Sequence, residues 1–306
     1  MKYLKLVLKI AVSAAFVVWL VRKTDWAAVS SYVLAAKAGY VAAYFFLLFG
    51  GMLISARKWK MLLSHKGLKL ETWECFKLYL SGALINNFMP STIGGDAYRA
   101  YKAAGKDKKI AAALSSVVVD RLSGLLGAML VAVFFALWQW EQISANPPLA
   151  WTVRAVLMVM HAFIFLGILV RTRLWRKISG FFPQSIRKIG AEFASYKDGG
   201  VFSRALLWSV AFSLVGLGAL NYVLFLALGI PVGVGEFLAV IFLISIVSAL
   251  PVSINNIGIK EWAYVTFFGF FGVNAAAVTA VAITSRALQM IFSLLALPEY
   301  IRGKGK

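Results

Sequence analysis

The sequence predicts an all-α polytopic membrane protein. Of its 306 residues, 61% are hydrophobic and 14% are charged, whereas a soluble domain is about 45–50% apolar and about 25% charged. Six stretches are apolar over the ~20 residues that a helix needs to cross a bilayer. Two shorter apolar stretches end at helix-stopping residues. We therefore expect about six full transmembrane helices and two re-entrant helical hairpins in a single transmembrane domain, residues 1–306.

The six predicted spans share a long apolar run with few charges. They are residues 4–21, 39–56, 110–140, 151–170, 202–228 and 275–297. The first could instead be a cleaved signal peptide, in which a small-x-small site ends a short apolar core. The small residues Ala11-Val12-Ser13 come too early for such a site, and Arg22-Lys23 follows the run. We therefore interpret residues 4–21 as a retained span.

The first predicted hairpin begins with the apolar residues 73–89. Pro90 follows at once, and Gly94-Gly95 comes soon after. Proline and glycine end or interrupt helices. A second, moderately apolar segment covers residues 97–104. We expect residues 90–96 to be non-helical backbone that lines a pathway, because such backbone survives at membrane depth only where it is buried or wet.

The second predicted hairpin follows the same plan. Residues 237–250 are apolar and are followed by Pro251, Asn255-Asn256 and Gly258. Its second arm is predicted at residues 262–271. We expect residues 251–261 to be non-helical and to line the pathway as well.

The positive charges predict the orientation, because Lys and Arg collect in cytoplasmic loops. The basic loops are residues 57–69, 99–109 and 171–204, with a basic tail from residue 302, so that Lys58 and Arg99 are assigned to loops. The loops at 142–150 and 229–235 have no basic residue. Both termini are therefore expected in the cytoplasm, the first hairpin enters from inside, and the second enters from outside. The net charge of +20 then needs no nucleic acid to explain it.

The cytoplasmic linker, residues 171–201, contains one amphipathic segment. Ile186, Ile189 and Phe193 recur at helical spacing, with Arg187 and Lys188 off that stripe. This pattern fits an interfacial helix on anionic lipid. A short helix packed against the ends of the bundle explains it equally well.

The two halves, residues 1–140 and 151–298, repeat one arrangement of span, span, hairpin and span. Asp96 precedes Arg121 by 25 residues, and Glu261 precedes Arg286 by the same 25. The predicted orientation makes the halves inverted repeats. Inverted repeats with broken helices are typical of secondary transporters, whose sites lie near the bilayer midplane.

Arg121 and Arg286 each lie in an otherwise apolar run. A charge at the bilayer centre costs about 2.5–3.5 kcal/mol on insertion scales. Each arginine therefore needs a carboxylate or water. The expected partners are Asp96 or Asp120 for Arg121, and Glu261 for Arg286.

Three roles remain open for these charges. They could be structural ion pairs that hold each hairpin to the next span. The arginines, with Arg99 and Lys260, could instead bind an anionic headgroup, because a guanidinium fork suits phosphate oxygens. A proton relay through Asp96 or Glu261 is the third reading.

Asparagine pairs lie beside both helix breaks, at Asn86-Asn87 and Asn255-Asn256. They could cap the half-helices, which we favour, or contact a polar ligand. Asn87 and Asn256 are therefore kept as pathway candidates.

Enzymatic and metal chemistry are not predicted. The single cysteine, Cys75, excludes an internal disulfide, and neither His65 nor His161 has a second ligand nearby in sequence. The acids lie beside arginines, which favours ionised carboxylates over general acids. We expect no cofactor and no catalytic residue.

Two segments form a recognisable pattern. They are Asn86 to Arg99, with Pro90-Ser91-Thr92-Ile93-Gly94-Gly95-Asp96 inside it, and Val119-Asp120-Arg121-Leu122. The second half echoes them at Leu250-Pro251, Gly258-Ile259-Lys260-Glu261 and Ser285-Arg286. The pattern resembles the lysylphosphatidylglycerol synthase transmembrane-region family, which includes the flippase domain of the bacterial multiple peptide resistance factor.

The resemblance implies a lipid-translocating domain of the bacterial inner membrane. The residues that carry over are Pro90, Gly94, Gly95, Asp96, Arg99, Asp120 and Arg121, then Pro251, Gly258, Glu261 and Arg286. The sequence contains no counterpart of the lysyl-transferring domain, so we expect no aminoacyl transfer. Asn255-Asn256-Ile257-Gly258 stands where the resemblance implies a more glycine-rich loop.

Two functions follow as hypotheses. The first is a flippase for an amphiphile with a phosphate-bearing headgroup, either anionic or zwitterionic. The alternative is a non-transporting subunit that presents a lipid-linked substrate to a separate synthase or glycosyltransferase. The expected partners are membrane lipids and, under the alternative, such a lipid-modifying enzyme, with no nucleic acid.

Overall fold

The computed structural model describes most of the chain. The described residues are 11, 14–16, 18–22, 24–89, 93–105, 109–169, 172, 180, 183–184, 187, 195–196, 200–250 and 253–298. Within them the chain is helical with short connections, and no strand occurs. The prediction of an all-α protein is therefore confirmed.

Eleven helices are numbered here in chain order. They are α1 Trp26–Leu34, α2 Ala38–His65, α3 Thr72–Phe88, α4 Ile93–Ala104, α5 Ile110–Trp138, α6 Trp140–Ser144, α7 Pro147–Leu169, α8 Val201–Ala227, α9 Val234–Ser248, α10 Ile259–Gly269 and α11 Ala275–Ser293. A π-helical stretch, Ser213–Ala219, lies within α8, and short 3₁₀ turns precede α10 and extend α11.

Within the described residues, five helices are long and apolar enough to cross a membrane: α2, α5, α7, α8 and α11 with its 3₁₀ extension. They match five of the six predicted spans. The remaining predicted span, residues 4–21, lies largely outside the described residues, although those described between 11 and 22 are helical. The interfacial helix expected within residues 185–196 also lies almost entirely outside them.

The first predicted hairpin is formed by α3 and α4, which pack against each other. A Cβ atom on Gly95 would lie 2.1 Å from the Gly82 carbonyl oxygen, so the arms touch through backbone. The Asn86 side chain accepts a hydrogen bond from the Gly95 amide at 2.8 Å. This contact caps the first turn of α4 from the opposite arm, as favoured for this asparagine pair.

The expectation that residues 90–96 are all non-helical is wrong for residues 93–96. Helix α4 begins at Ile93, so Gly94, Gly95 and Asp96 lie in its first turn. The helix forms despite Gly94 and Gly95 because α3 supplies a cap from Asn86 and a surface against which Gly95 packs. Pro90 lies outside the described residues.

The second predicted hairpin consists of α9 and α10, which also pack against each other. Their connection is irregular: Asn255 and Asn256 have φ of 46° and 57°, and Gly258 has φ of 85°. A Cβ on Gly258 would lie 2.2 Å from the Cβ of Phe16, so this position needs glycine for conformation and for space. Helix α10 begins at Ile259, which corrects the expectation that residues 251–261 are all non-helical. Pro251 lies outside the described residues.

The two halves of the chain share one core. Helix α5 packs against α8 and α9, and α2 packs against α8. The α2–α8 contact is closest at two glycines, where a Cβ on Gly51 would lie 2.9 Å from the Gly216 Cα. Small residues permit such backbone approach between membrane helices.

We expect Gly51→Ala to destabilise the protein because the added methyl meets backbone that cannot move aside. Overpacking of this kind typically costs about 1–3 kcal/mol. Thermal unfolding in detergent measures the effect. Gly50→Ala is the matched control, since a Cβ there has nothing within 4 Å. Equal melting temperatures for the two variants would contradict the contact.

Candidate functional site

A buried carboxylate on α5 joins four helices in the first half. Asp120 is only 4% exposed and forms ion pairs with Arg99 on α4 at 2.8 Å and with Lys58 on α2 at 3.0 Å. The Tyr79 hydroxyl on α3 donates to the same carboxylate. Two cations and a hydroxyl therefore share one acid in an otherwise apolar bundle.

Arg99 is enclosed on every side. Its guanidinium carbon lies 4.6 Å from the Trp59 ring centre and 4.3 Å from that of Tyr79, and its side chain is 2% exposed. Its Nε also donates to Asp96 at 3.0 Å. Arg99 therefore connects the carboxylates of Asp96 and Asp120.

The assignment of Lys58 and Arg99 to cytoplasmic loops is wrong. Helix α2 continues beyond its apolar part to His65, and α4 continues to Ala104. Charges on a continuing helix can be buried where an acid faces them, and Asp120 supplies that acid.

Arg121 forms the predicted pair with Asp96. Its Nε lies 2.8 Å from the Asp96 Oδ2, whereas the neighbouring Asp120 pairs elsewhere. The side chain of Arg121 is 55% exposed. Its two terminal nitrogens have no hydrogen-bond partner among the described residues. Arg121 is therefore fixed through Nε, and its two terminal nitrogens are available to another group.

Arg286 forms the other predicted pair, with Glu261 at 3.0 Å. It also donates to the backbone carbonyls of Asn255 at 3.1 Å and Asn256 at 3.3 Å. The second Glu261 oxygen accepts from the Gly258 amide at 2.7 Å. The pair therefore holds the irregular connection of the second hairpin against α11, and each of the three guanidinium nitrogens donates at least one hydrogen bond.

Lys260 lies beside this pair in a different setting. Its ammonium donates to the Ser285 hydroxyl at 3.2 Å and lies 5.8 Å from the Tyr264 ring centre. Ser285 also contacts Gln289 and the Tyr44 hydroxyl. Within the described part of the chain, Lys260 has no carboxylate in ion-pair distance.

A cavity of about 420 Å³ lies where the two halves meet. Its polar walls come from both halves, and its apolar walls include Leu48, Phe212 and Ile244. The polar residues that line it include Tyr79, Arg121, Asn221, Asn256, Lys260 and Gln289. The cavity therefore presents amides, hydroxyls and two cations to a bound group.

The structure separates the predicted site residues. Arg121, Asn256 and Lys260 line the cavity. Asn87 instead donates to the Ser293 hydroxyl at 2.7 Å, and Gly94 lies against the Met89 side chain. The others, Gly95, Asp96, Arg99, Asp120, Gly258, Glu261 and Arg286, build the hairpins and ion pairs.

Sequence reasoning missed Lys58, Tyr79 and Gln289. One signal was present: Asp120 and Arg121 are adjacent, so their side chains point in different directions on a helix and need separate partners. Once Arg121 is paired with Asp96, Asp120 requires another cation. Which cation pairs with Asp120 depends on how the helices pack, and no local sequence pattern encodes that packing.

The family model described as lysylphosphatidylglycerol synthase TM region matches residues 6–296. The chain belongs to this family. No curated protein matches it. Membership in this lipid-associated membrane family, together with the five long apolar helices, shows a multi-pass membrane protein that contacts membrane lipids. Among the described residues of this family member, no group of three metal-ligating side chains is found.

We expect Asp120→Ala to destabilise the protein strongly because it leaves two cations buried without their acid. Breaking a buried pair typically costs about 3–5 kcal/mol. Lys60→Ala is the control, since the Lys60–Glu71 pair is exposed and such pairs contribute about 1 kcal/mol or less. Chemical or thermal unfolding in detergent compares the two. A similar small effect for both variants would rule out a central role for Asp120.

Proposed function

We propose that the protein is a lipid transporter that moves an amphiphile with a phosphate-bearing headgroup across the bacterial inner membrane. The observation that carries the proposal is the cavity between the halves, with Arg121 from the first half and Lys260 from the second. Guanidinium and ammonium groups are the usual protein ligands of phosphate oxygens. The apolar walls suit the glycerol and upper acyl region.

The repeated ion pairs support a transporter architecture. Each hairpin places an acid in the first turn of its second helix, and an arginine 25 residues later pairs with it. The distribution of Lys and Arg favours opposite orientations for the two halves, with re-entrant hairpins and cytoplasmic termini. Inverted repeats with discontinuous helices around a midplane site are the usual plan of secondary transporters.

Alternating access is the mechanism we infer from this arrangement. The Asp96–Arg121 and Glu261–Arg286 pairs tie each hairpin to the long helix that follows it, so each hairpin and helix would move together. Rocking of one half against the other would open the cavity to one side at a time. The headgroup would cross through the cavity while the acyl chains stay in the bilayer.

Arg121→Ala should reduce lipid movement by about tenfold or more, because a charge-assisted hydrogen bond contributes about 1.5–3 kcal/mol. The measurement follows the transbilayer distribution of labelled phosphatidylglycerol in vesicles that contain the purified protein. Arg154→Ala is the control, since Arg154 lies on α7 over the Trp151 ring and away from the cavity. If the wild-type protein moves no native lipid, the transport proposal fails and the substrate-presenting subunit becomes the better hypothesis.

Cysteine labelling tests the proposed orientation. The single native cysteine, Cys75, is buried, so a Cys75→Ala background is suitable. Thr92→Cys should react with a membrane-impermeant reagent from the cytoplasm, and Asn256→Cys from the periplasm. Labelling of both positions from one side would exclude inverted hairpins.

A further inference from the structure

The charges around the cavity do not balance. Two ion clusters flank it, one in each half, and both include residues that line its walls. The basic members are Lys58, Arg99, Arg121, Lys260 and Arg286, and the acidic members are Asp96, Asp120 and Glu261. Within the described residues, the basic members exceed the acidic ones by two.

Each half contributes one of the two excess charges, and in the second half the excess follows from one position of the sequence. Asp120 precedes Arg121, whereas Ser285 precedes Arg286. The second half therefore has one acid for Lys260 and Arg286, and Arg286 takes it. Among the described residues, Lys260 contacts a hydroxyl and an aromatic ring and no carboxylate. A cation held at depth without an acid favours an anion beside it.

Both cations that face the cavity have N–H groups without a hydrogen-bond partner among the described residues. Arg121 is fixed by Asp96 through Nε, which leaves its terminal nitrogens for a ligand. Lys260 has three N–H groups and, among the described residues, donates one hydrogen bond, to the Ser285 hydroxyl. Among the described residues that line the cavity, none is an acid. The sequence segments 89–92 and 249–253 contain no acid either.

We propose, on the basis of the transport function above, that the cavity selects a lipid whose headgroup is net negative, with its phosphate bound between Arg121 and Lys260. A lysyl ester on phosphatidylglycerol would add two ammonium groups to a site that has cations and no free carboxylate. The cargo of this chain is therefore an unmodified anionic phospholipid and not the aminoacylated lipid for which the family is described. A zwitterionic headgroup is disfavoured for the same reason.

Competition binding measured by native mass spectrometry tests this selectivity. The purified protein is mixed with equal amounts of phosphatidylglycerol, phosphatidic acid, phosphatidylethanolamine and lysylphosphatidylglycerol. We expect the two anionic lipids to bind at least about tenfold more tightly than the other two. Equal or tighter binding of lysylphosphatidylglycerol would overturn the proposal. Glycerol phosphate tests the source of the anion, and binding as tight as that of phosphatidylglycerol would mean a soluble ligand instead of a lipid.

Variants at Lys260 and Arg121 connect the selectivity to the two cations. Lys260→Gln and Arg121→Gln should each weaken phosphatidylglycerol binding about tenfold and reduce its preference over lysylphosphatidylglycerol. Lys260→Arg keeps the charge and should keep the preference, which separates charge from folding. Arg154→Gln is the control away from the cavity. An unchanged preference in a folded Lys260→Gln protein would overturn the assignment.

A transport assay with the same lipids separates the two proposals. If vesicles show movement of lysylphosphatidylglycerol and not of phosphatidylglycerol, transport stands and the charge selectivity is wrong. If anionic lipids bind with the expected preference but no lipid moves, the selectivity stands and the transport function is wrong.

Discussion

The Asp120 carboxylate is the interaction on which the first half of the structure depends. Its partners Lys58, Tyr79 and Arg99 come from three further helices. Burying an unpaired carboxylate or cation in an apolar bundle has a large free-energy cost. Each of these buried charges therefore depends on its partners in the network. The network therefore specifies how α2, α3, α4 and α5 are arranged, and it positions Arg121 beside the cavity.

The acid–arginine pairs of the two halves have the same spacing, but their arginines make different contacts. Arg121 is held through one nitrogen and remains half-exposed, whereas Arg286 uses its nitrogens on Glu261 and on two loop carbonyls. The irregular second connection has backbone carbonyls to satisfy, and the arginine satisfies them. The cation that lines the cavity in the second half is consequently Lys260, one residue before the acid. The two halves thus present different cations to the cavity, although each pairs an acid with an arginine 25 residues later.

Many of the helices and ion pairs could be predicted from the sequence, because burial in a membrane is unfavourable for every unpaired charge. The cost of Arg121 and Arg286 at depth, together with their equal spacing from an acid, predicted both ion pairs. The helix limits were less predictable. Lys58 and Arg99 were assigned to loops because the hydropathy falls before the helix ends. Hydropathy along the chain does not indicate whether an acid on a neighbouring helix lies close enough to pair with them.

The sequence by itself determined the class of protein, five of the long helices, the two broken apolar segments and the pairing of the charges that had local partners. These follow from composition, periodicity and spacing along the chain. Only the tertiary structure decided that Lys58 and Arg99 are buried, that Gly51 meets Gly216, and that Arg121 and Lys260 face one cavity. The reason is physical: these contacts join residues far apart in sequence, and their free energies depend on which side chains surround them after packing.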